Sequence, residues 1–422
     1  MKTIRLLKLY WKRPPRSVSA VPESTSFDLN LIMKSSLLAI LFCLWAGSIH
    51  ADQRIWVDAD VNGQSARFIF DTGADRLILF RNGAKRLKLK LTQAPSDSSG
   101  PSGTVGIGQT EPCDVRLLGN HLRMPLGVVE MPSFLDMHAD GVLGWGAIQN
   151  NILTIDAISS RIAFADQIPK EAAGWTKLRL QKGSGFLSLE IPHDGSLAGV
   201  VLVDTGFTGG VAVPPATWQA WKRTHPHAPV TLDSYFMPGA GLVVKEETWA
   251  GSMEFGPLVL TEVPLIEANQ AQVALGSSSY EASLGLAALK RLDFIVDGRD
   301  GTAYIRLKST LPVPYPHNRL GAVFVPSDAR SDSLIAHLAN GGPAQQAGVC
   351  NGDVLLKIGN LDVTKWRSDP AVSPLSHFWM QPAGTKLDLT LKRQSATFRT
   401  TVMLRQILGP GQDTPARPNQ DS

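Results

Sequence analysis

The sequence predicts a mainly β chain made of two duplicated halves, followed by a smaller third unit. Three observations predict it. From Asp52 onward the apolar runs are short, rich in Ile, Val and Phe, and bounded by Gly, Asn, Asp or Pro turns, as in "RIWVDADV", "ARFIFD", "NILTIDA", "RIAFA", "GVVLVD" and "DFIVDG". Such runs read as strands. Two segments then recur in the same order. "FIFDTGADRLILF" around Asp71 returns as "VVLVDTGFTGGVAVP" around Asp204, and "DGVLGWGAIQNNILTIDAISSRIAF" (140–164) returns as "EASLGLAALKRLDFIVDGRDGTAYI" (281–305). Finally, the Pro-rich stretch "STLPVPYPHNR" (309–319) closes the duplicated part and reads as a semi-rigid extended linker.

The first residues read as targeting sequence. Met33-Lys34 is followed by "SSLLAILFCLWAGSIHA", an apolar run whose length fits a secretory h-region. Ala46-Gly47-Ser48 and Ile49-His50-Ala51 are both suitable cleavage sites. On this reading 33–51 is a signal peptide, and either Met33 is the true start or 1–32 is a dispensable basic extension, the two together making an N-terminal segment 1–51. Left uncleaved, the same segment is a signal anchor in the inner membrane, with basic residues 2–16 kept in the cytoplasm. Both readings export the chain, with the periplasm as the simplest compartment, and only the second brings in a membrane.

Composition narrows the class. With 43% apolar and 18% charged residues among 422, the chain can bury a sizeable core. The net charge of +4, with no basic stripe beyond the N-terminal extension, leaves no footprint for nucleic acid. Of three cysteines, Cys43 lies in the signal, while Cys113 and Cys350 fall in different units. Neither a disulfide framework nor a Cys/His metal-ligand spacing is implied, and no cofactor motif is present. Cys350, in the "GVCNGD" turn, reads as a small packing residue.

The two repeats set the domain limits. Gly144 matches Gly285 and Asp156 matches Asp297, so the second motif repeats with eight residues more than the first. The first half then covers 52–168, the second 174–308, the linker 309–317, the third unit 318–408 and a polar, Pro-rich tail 409–422. In the first half, Asn62-Gly63 between alternating runs marks a hairpin. In the second, "PPATWQAWKRTH" (214–225) is the best helix, with Trp218 and Trp221 packing on the lobe. His225-Pro226-His227 after it has no third ligand nearby and reads as a surface loop.

The chemistry centres on the two Asp-Thr-Gly turns. One Asp-x-Gly behind a strand is often only a turn, because Gly supplies the backbone freedom and Asp caps it. Here each Asp follows a fully apolar strand, and an apolar-apolar-Gly segment follows each turn. A lone carboxylate in such surroundings would cost several kcal/mol. If the halves pack about a pseudo-twofold axis, Asp71 meets Asp204 and the pair shares one proton. One carboxylate then activates a water while the other protonates a carbonyl oxygen. Each Gly lets backbone approach the carboxylates, and each Thr hydroxyl can bond to the opposite half.

At these residues the sequence resembles the aspartic peptidases: "DTGAD" (71–75) is similar to the active-site turn of retroviral proteases, and "DGVLGWG" (140–146) to the apolar-apolar-Gly element of pepsins. The resemblance implies a bilobal aspartic-protease fold, hydrolysis of peptide or protein substrates, and catalytic roles for Asp71 and Asp204. It maps Thr72, Gly73, Thr205 and Gly206 onto supporting positions of the turns, and Gly144 and Gly285 onto the elements behind them. Ala74, Asp75 and Tyr235 map onto substrate-binding positions. Two departures matter. The Gly-rich segment 98–110 lacks the flap tyrosine of pepsins, and Tyr235 in "YFMPGAGLVV" offers one from the second lobe instead. Ala74 and Phe207 also stand where pepsins usually carry a hydroxyl, which leaves the dyad harder to ionise and predicts activity nearer neutral pH.

The third unit resembles a PDZ domain of the kind attached to bacterial proteases, on "GGPAQQAGV" and "NGDVLLKIGNLDV". That implies capture of a protein chain end as an added strand, with Arg319, Leu320, Gly321 and Ala322 as the carboxylate loop. The alternative is a module that only buttresses the lobes. For the whole chain the rivals of an active peptidase are an inactive peptide-binding protein and an envelope scaffold of the same fold.

Overall fold

The computed structural model describes residues 54–410, except 94–105, 131–137, 193–198, 238–240, 269–273, 276–277, 311–314, 328–330, 370–371 and 373. The N-terminal extension and signal segment, flap residues 98–105, the 238–240 hairpin tip, linker residues 311–314 and tail residues 411–422 lie outside the described residues. Among those described, no helix is long and apolar enough to cross a membrane.

The fold is mainly β. A nine-stranded sheet carries the first half and a twelve-stranded sheet the second. The hairpin Trp56–Val61 and Gln64–Asp71 turns at Asn62-Gly63, both with positive φ (52° and 79°), the backbone that a two-residue turn of matching twist requires. Phe68, Ile69 and Phe70 are all fully buried, so this strand is covered on both faces and shows no alternation. Its partner Gly141–Gly144 runs parallel to it, with Asp71 opposite Gly144, and antiparallel to Leu77–Phe80. The second half repeats the arrangement. Gly199–Val203 lies parallel to Ala282–Leu284, which pairs antiparallel with Val211–Val213.

The two sheets do not divide where the first half ends. Strands Ile152–Asp156 and Arg161–Ala165 join the second sheet, because Ile152–Asp156 pairs antiparallel with Leu292–Asp297. These two strands are copies of one another in the duplication, and equivalent residues Thr154 and Ile295 sit opposite each other. An antiparallel pair of repeated strands is related by a twofold axis, which here passes between Thr154 and Ile295. Pairing removes two otherwise open sheet edges, the physical reason the strand leaves its own half. One continuous apolar core runs through both halves.

The third unit has a six-stranded sheet and a core of its own, around Leu320, Phe324, Leu355, Trp366, Trp379 and Leu391. It is seated on the second half. Thr231 Oγ1 donates to Asn318 O, and Asn318 Nδ2 donates to Leu232 O, both at 2.8 Å. Leu232 and Val244 of the hairpin Thr231–Met237/Gly241–Phe255 pack against Val323 and Ala339. Cys113 is buried, whereas Cys350 is exposed, a correction to its reading as a packing residue. Its turn is held instead by Asp353, which accepts the Cys350 N–H and pairs with Arg393 through both oxygens at 2.8 Å.

Candidate active site

Asp71 ends strand Gln64–Asp71, and Asp204 directly follows Gly199–Val203. Both carboxyls are buried and hydrogen-bonded to each other. Their own turns complete the set of donors. The Gly73 N–H donates to Asp71 Oδ1 at 2.8 Å, and the Phe207 N–H donates to Asp204 Oδ1 at 3.0 Å. Gly206 adds backbone donation to both.

The glycines and threonines act across the twofold. A Cβ placed on Gly73 would lie 2.7 Å from Asp204 Cγ, and one on Gly206 would lie 2.5 Å from Asp71 Cγ. Each turn is therefore glycine because the opposite carboxyl occupies the space a side chain would take. Thr72 Oγ1 donates to Val203 O at 2.6 Å and accepts the Thr205 N–H at 3.1 Å. Thr205 Oγ1 donates to Phe70 O at 2.9 Å and accepts the Thr72 N–H at 3.0 Å. Every polar group of the two threonine turns in this exchange is paired, as burial demands.

Behind the turns the two halves also match. Gly144 and Gly285 approach backbone so closely that a Cβ would meet Arg76 N at 2.5 Å in one half and Gly209 O at 2.4 Å in the other. Gly144 N–H donates to Arg76 O, and Gly285 N–H to Gly210 O.

Burial dominates the electrostatics. It raises the Asp71 carboxyl to about 6, against the opposing pull of the Asp204 hydrogen bond, the Gly73 N–H and the Arg54 guanidinium. Asp204 is raised further, by burial first and then by the Asp71 charge. Above about 6 the pair thus has one carboxylate and one carboxylic acid, because burial and the Asp71 charge keep Asp204 protonated further. Such a pair can accept a proton from a water and donate one to an oxygen in the same event.

Other residues singled out from the sequence have different surroundings. Ala74 is buried, its N–H bonded to Asp71 O and its carbonyl to the Trp145 N–H. Asp75 pairs with Arg76 at 2.5 Å and fits between Gly146 and Gly185 at the lobe boundary. Tyr235 needs a correction. It is not at the surface as a flap residue but 1% exposed, packed with Phe207, Ala212, Ile266 and Ala268. Its strand is at a sheet edge, and apolar residues from three other segments, around Phe207, Ala212 and Ile266, draw the ring inward, where it backs the second Asp-Thr-Gly turn. Trp218 is fully buried and donates its indole N–H to Glu246 Oε2 at 3.2 Å; the exposed His225 stacks on Trp221.

The loop Arg319–Ala322 also needs a correction. The N–H groups of Leu320 and Gly321 both donate to Asn318 Oδ1, at 2.9 and 3.2 Å, and Leu320 and Ala322 are buried in the third unit's own core. An internal amide therefore holds the donors that a chain-end carboxylate would need. Asn318 was legible as a polar residue beside the loop, but nothing in its spacing says where its side chain points.

Two groups of buried charge escaped the sequence reading. One is Arg54, buried beside the dyad. The other is Asp233 and Glu247, two buried carboxyls on adjacent strands, with Tyr315 hydrogen-bonded to Glu247. Arg54 could have been found by counting outward from Asn62-Gly63. For Tyr315, no local signal exists.

Comparison with known proteins agrees with the first half of this site. The family model for aspartyl proteases matches residues 57–147, which contain the Asp71 turn and Gly144. No curated protein matches the sequence. Among solved structures, Basic 7S globulin from soybean aligns with 64% of this chain and 96% of its own, at 12% identity and a TM-score of 0.38. Over residues 57–147, the chain is similar to the aspartyl protease family.

Proposed function

We propose that the protein is an exported, single-chain aspartic endopeptidase. The observation that carries this reading is the reciprocal site: two Asp-Thr-Gly turns, each leaving room for the other's carboxyl and each hydrogen-bonded to the other's backbone. A water between Asp71 and Asp204 loses a proton to the ionised carboxylate and attacks the peptide carbonyl carbon. The protonated carboxyl gives its proton to the carbonyl oxygen. The tetrahedral diol then collapses: the carboxyl that took the water's proton gives it to the amide nitrogen as the C–N bond breaks, and a diol hydroxyl returns its proton to the other carboxylate, which restores the dyad and releases the carboxylic acid. No covalent enzyme intermediate is needed.

The dyad must lose one proton to act, and the Asp71 carboxyl sits near 6. The acid limb of kcat/KM is therefore expected near that pH, in keeping with Ala74 and Phe207 where a hydroxyl would stabilise the ionised pair. The third unit is proposed to be a PDZ-type module that buttresses the second lobe. In favour of this role, the Asn318 side chain accepts the Leu320 and Gly321 N–H groups and donates to Leu232 O of the second half.

Cleavage of a peptide library by wild type, Asp71→Asn and Asp204→Asn, with and without a statine-type inhibitor, tests the reading. Inhibitable cleavage by wild type alone supports it. Equal activity in all three proteins overturns it, and no cleavage by any favours a peptide-binding protein of the same fold.

A further inference from the structure

Arg54 is 7% exposed two residues before the first strand, Trp56–Val61, and is followed by the apolar Ile55 and Trp56. The hairpin fixes what it faces. Val61 pairs with Gln64, and the register runs unbroken back to Trp56 opposite Ile69. The Phe70 N–H extends it by donating to Ile55 O at 2.9 Å. One step further, Arg54 falls opposite Asp71. Directly opposed residues of an antiparallel pair project from the same face with Cβ atoms about 4.5–5.5 Å apart. A guanidinium there is within reach of the Asp71 carboxyl.

The second half has the same geometry with a different residue. Ser188 pairs with Leu202 and Leu189 with Val201, and the Val203 N–H donates to Leu187 O at 2.8 Å. The residue opposite Asp204 is therefore Phe186, buried with Leu202 and Tyr280. Two positions equivalent by pairing hold a cation in one lobe and an aromatic ring in the other.

Resting on the aspartic-dyad reading above, we infer that Arg54 is a positioning residue that holds the dyad's negative charge on Asp71, so that Asp71 is the base and Asp204 the proton donor. Two equivalent carboxyls sharing a proton have no preferred direction of transfer. A buried positive charge beside one of them, with an apolar ring beside the other, supplies the preference. The charged groups acting on Asp71 are Arg54, from the preceding strand, and Asp204, from the other lobe; the one acting on Asp204 is Asp71. Asp71 in turn is the charge that acts on Arg54, whose guanidinium burial lowers only to about 10, so that it stays charged at neutral pH.

The test uses the full chain with Arg54→Met and Arg54→Lys, and with Arg54→Gln if the methionine variant is not folded by circular dichroism. Two readouts are taken: kcat/KM against pH on a cleaved peptide, and the carboxyl 13C shifts of labelled aspartates, assigned with Asp71→Asn and Asp204→Asn. Losing a close opposite charge moves a carboxyl up by about 1–3 pH units. The neutral variants should therefore raise the Asp71 titration and the acid limb by that amount, lowering kcat more than KM is changed, while Arg54→Lys stays near wild type. An Asp71 titration unmoved in a folded neutral variant, or Asp204 ionising first in wild type, overturns the inference. If wild type cleaves nothing, the peptidase reading fails by itself, and the 13C titration still decides the role of Arg54.

Discussion

The Thr72 N–H donates to Thr205 Oγ1 at 3.0 Å, and the Thr205 N–H returns a bond to Thr72 Oγ1 at 3.1 Å. Two loops from separate halves are thereby tied at the point where their carboxyls meet. The tie is made of short side chains and backbone, which hold geometry better than long flexible ones.

Replacing Thr72 by Val strands the Thr205 N–H and the Val203 carbonyl inside the protein. Each stranded group costs about 1–3 kcal/mol. Thr72→Val should therefore unfold at clearly lower denaturant than wild type, while Thr72→Ser, which keeps the hydroxyl, should fall close to wild type. Equal midpoints for the two variants in urea unfolding would refute the tie.

Gly73→Ala and Gly206→Ala each push a methyl against the opposite carboxyl, at 2.7 and 2.5 Å from its Cγ. A displacement approaching 1 Å at reacting groups costs on the order of 100-fold in rate. Both variants should lose that much in kcat/KM. Gly174→Ala, where a Cβ meets nothing within 4 Å, is the control and should be unchanged.

Glu247 is buried next to Asp233, and burial followed by that neighbour's charge raises its carboxyl well above the usual range. A raised acid stabilises the fold at low pH and stops doing so as pH rises through its folded value. Stability should thus decline from acid toward neutral pH at this site. Glu247→Gln removes the ionisation, so its melting temperature should exceed that of wild type at neutral pH and converge on it in acid. A lower value at neutral pH would count against the assignment.

His317 works in the opposite direction. Its Nε2 accepts the N–H groups of Ile407 and Leu408, at 3.3 and 3.1 Å, and its Nδ1–H donates to Tyr315 O at 3.1 Å. The neutral ring is thus specified, and burial lowers it to about 4. A lowered base stabilises above its unfolded value near 6.5 and loses that contribution as pH falls to 4. The loss amounts to about 3 kcal/mol. His317→Gln can replace both kinds of bond and should flatten this acid slope in a pH series of unfolding curves.

Some of the site could be counted directly from the chain. Asn62-Gly63 sets a two-residue turn, and stepping outward from it pairs 61 with 64 and so on to 54 with 71. The place of Arg54 opposite Asp71 is thus a consequence of local turn chemistry. Tyr235 is different. Its strand has the residues of an exposed hairpin, but the apolar cluster around Phe207 comes from three other segments and pulls the ring inside. The loop at 319–322 was misread for a similar reason, since its donors are taken by an amide one residue away whose rotamer depends on the docked hairpin.

By itself the sequence determined the β class, the duplication and the pair of Asp-Thr-Gly turns, because strand runs, turn residues and repeats are local patterns. It also gave reason to expect glycine and threonine to support each turn, though not which atoms they would meet. Only the tertiary structure decided that each glycine makes room for the opposite carboxyl, that Ile152–Asp156 crosses to the second sheet, and that the carboxyl opposite Arg54 meets the one opposite Phe186. Those contacts join residues more than a hundred positions apart or depend on what covers a buried face. They follow from packing two copies about one axis, where a small difference between equivalent positions becomes a difference in charge at a single shared proton.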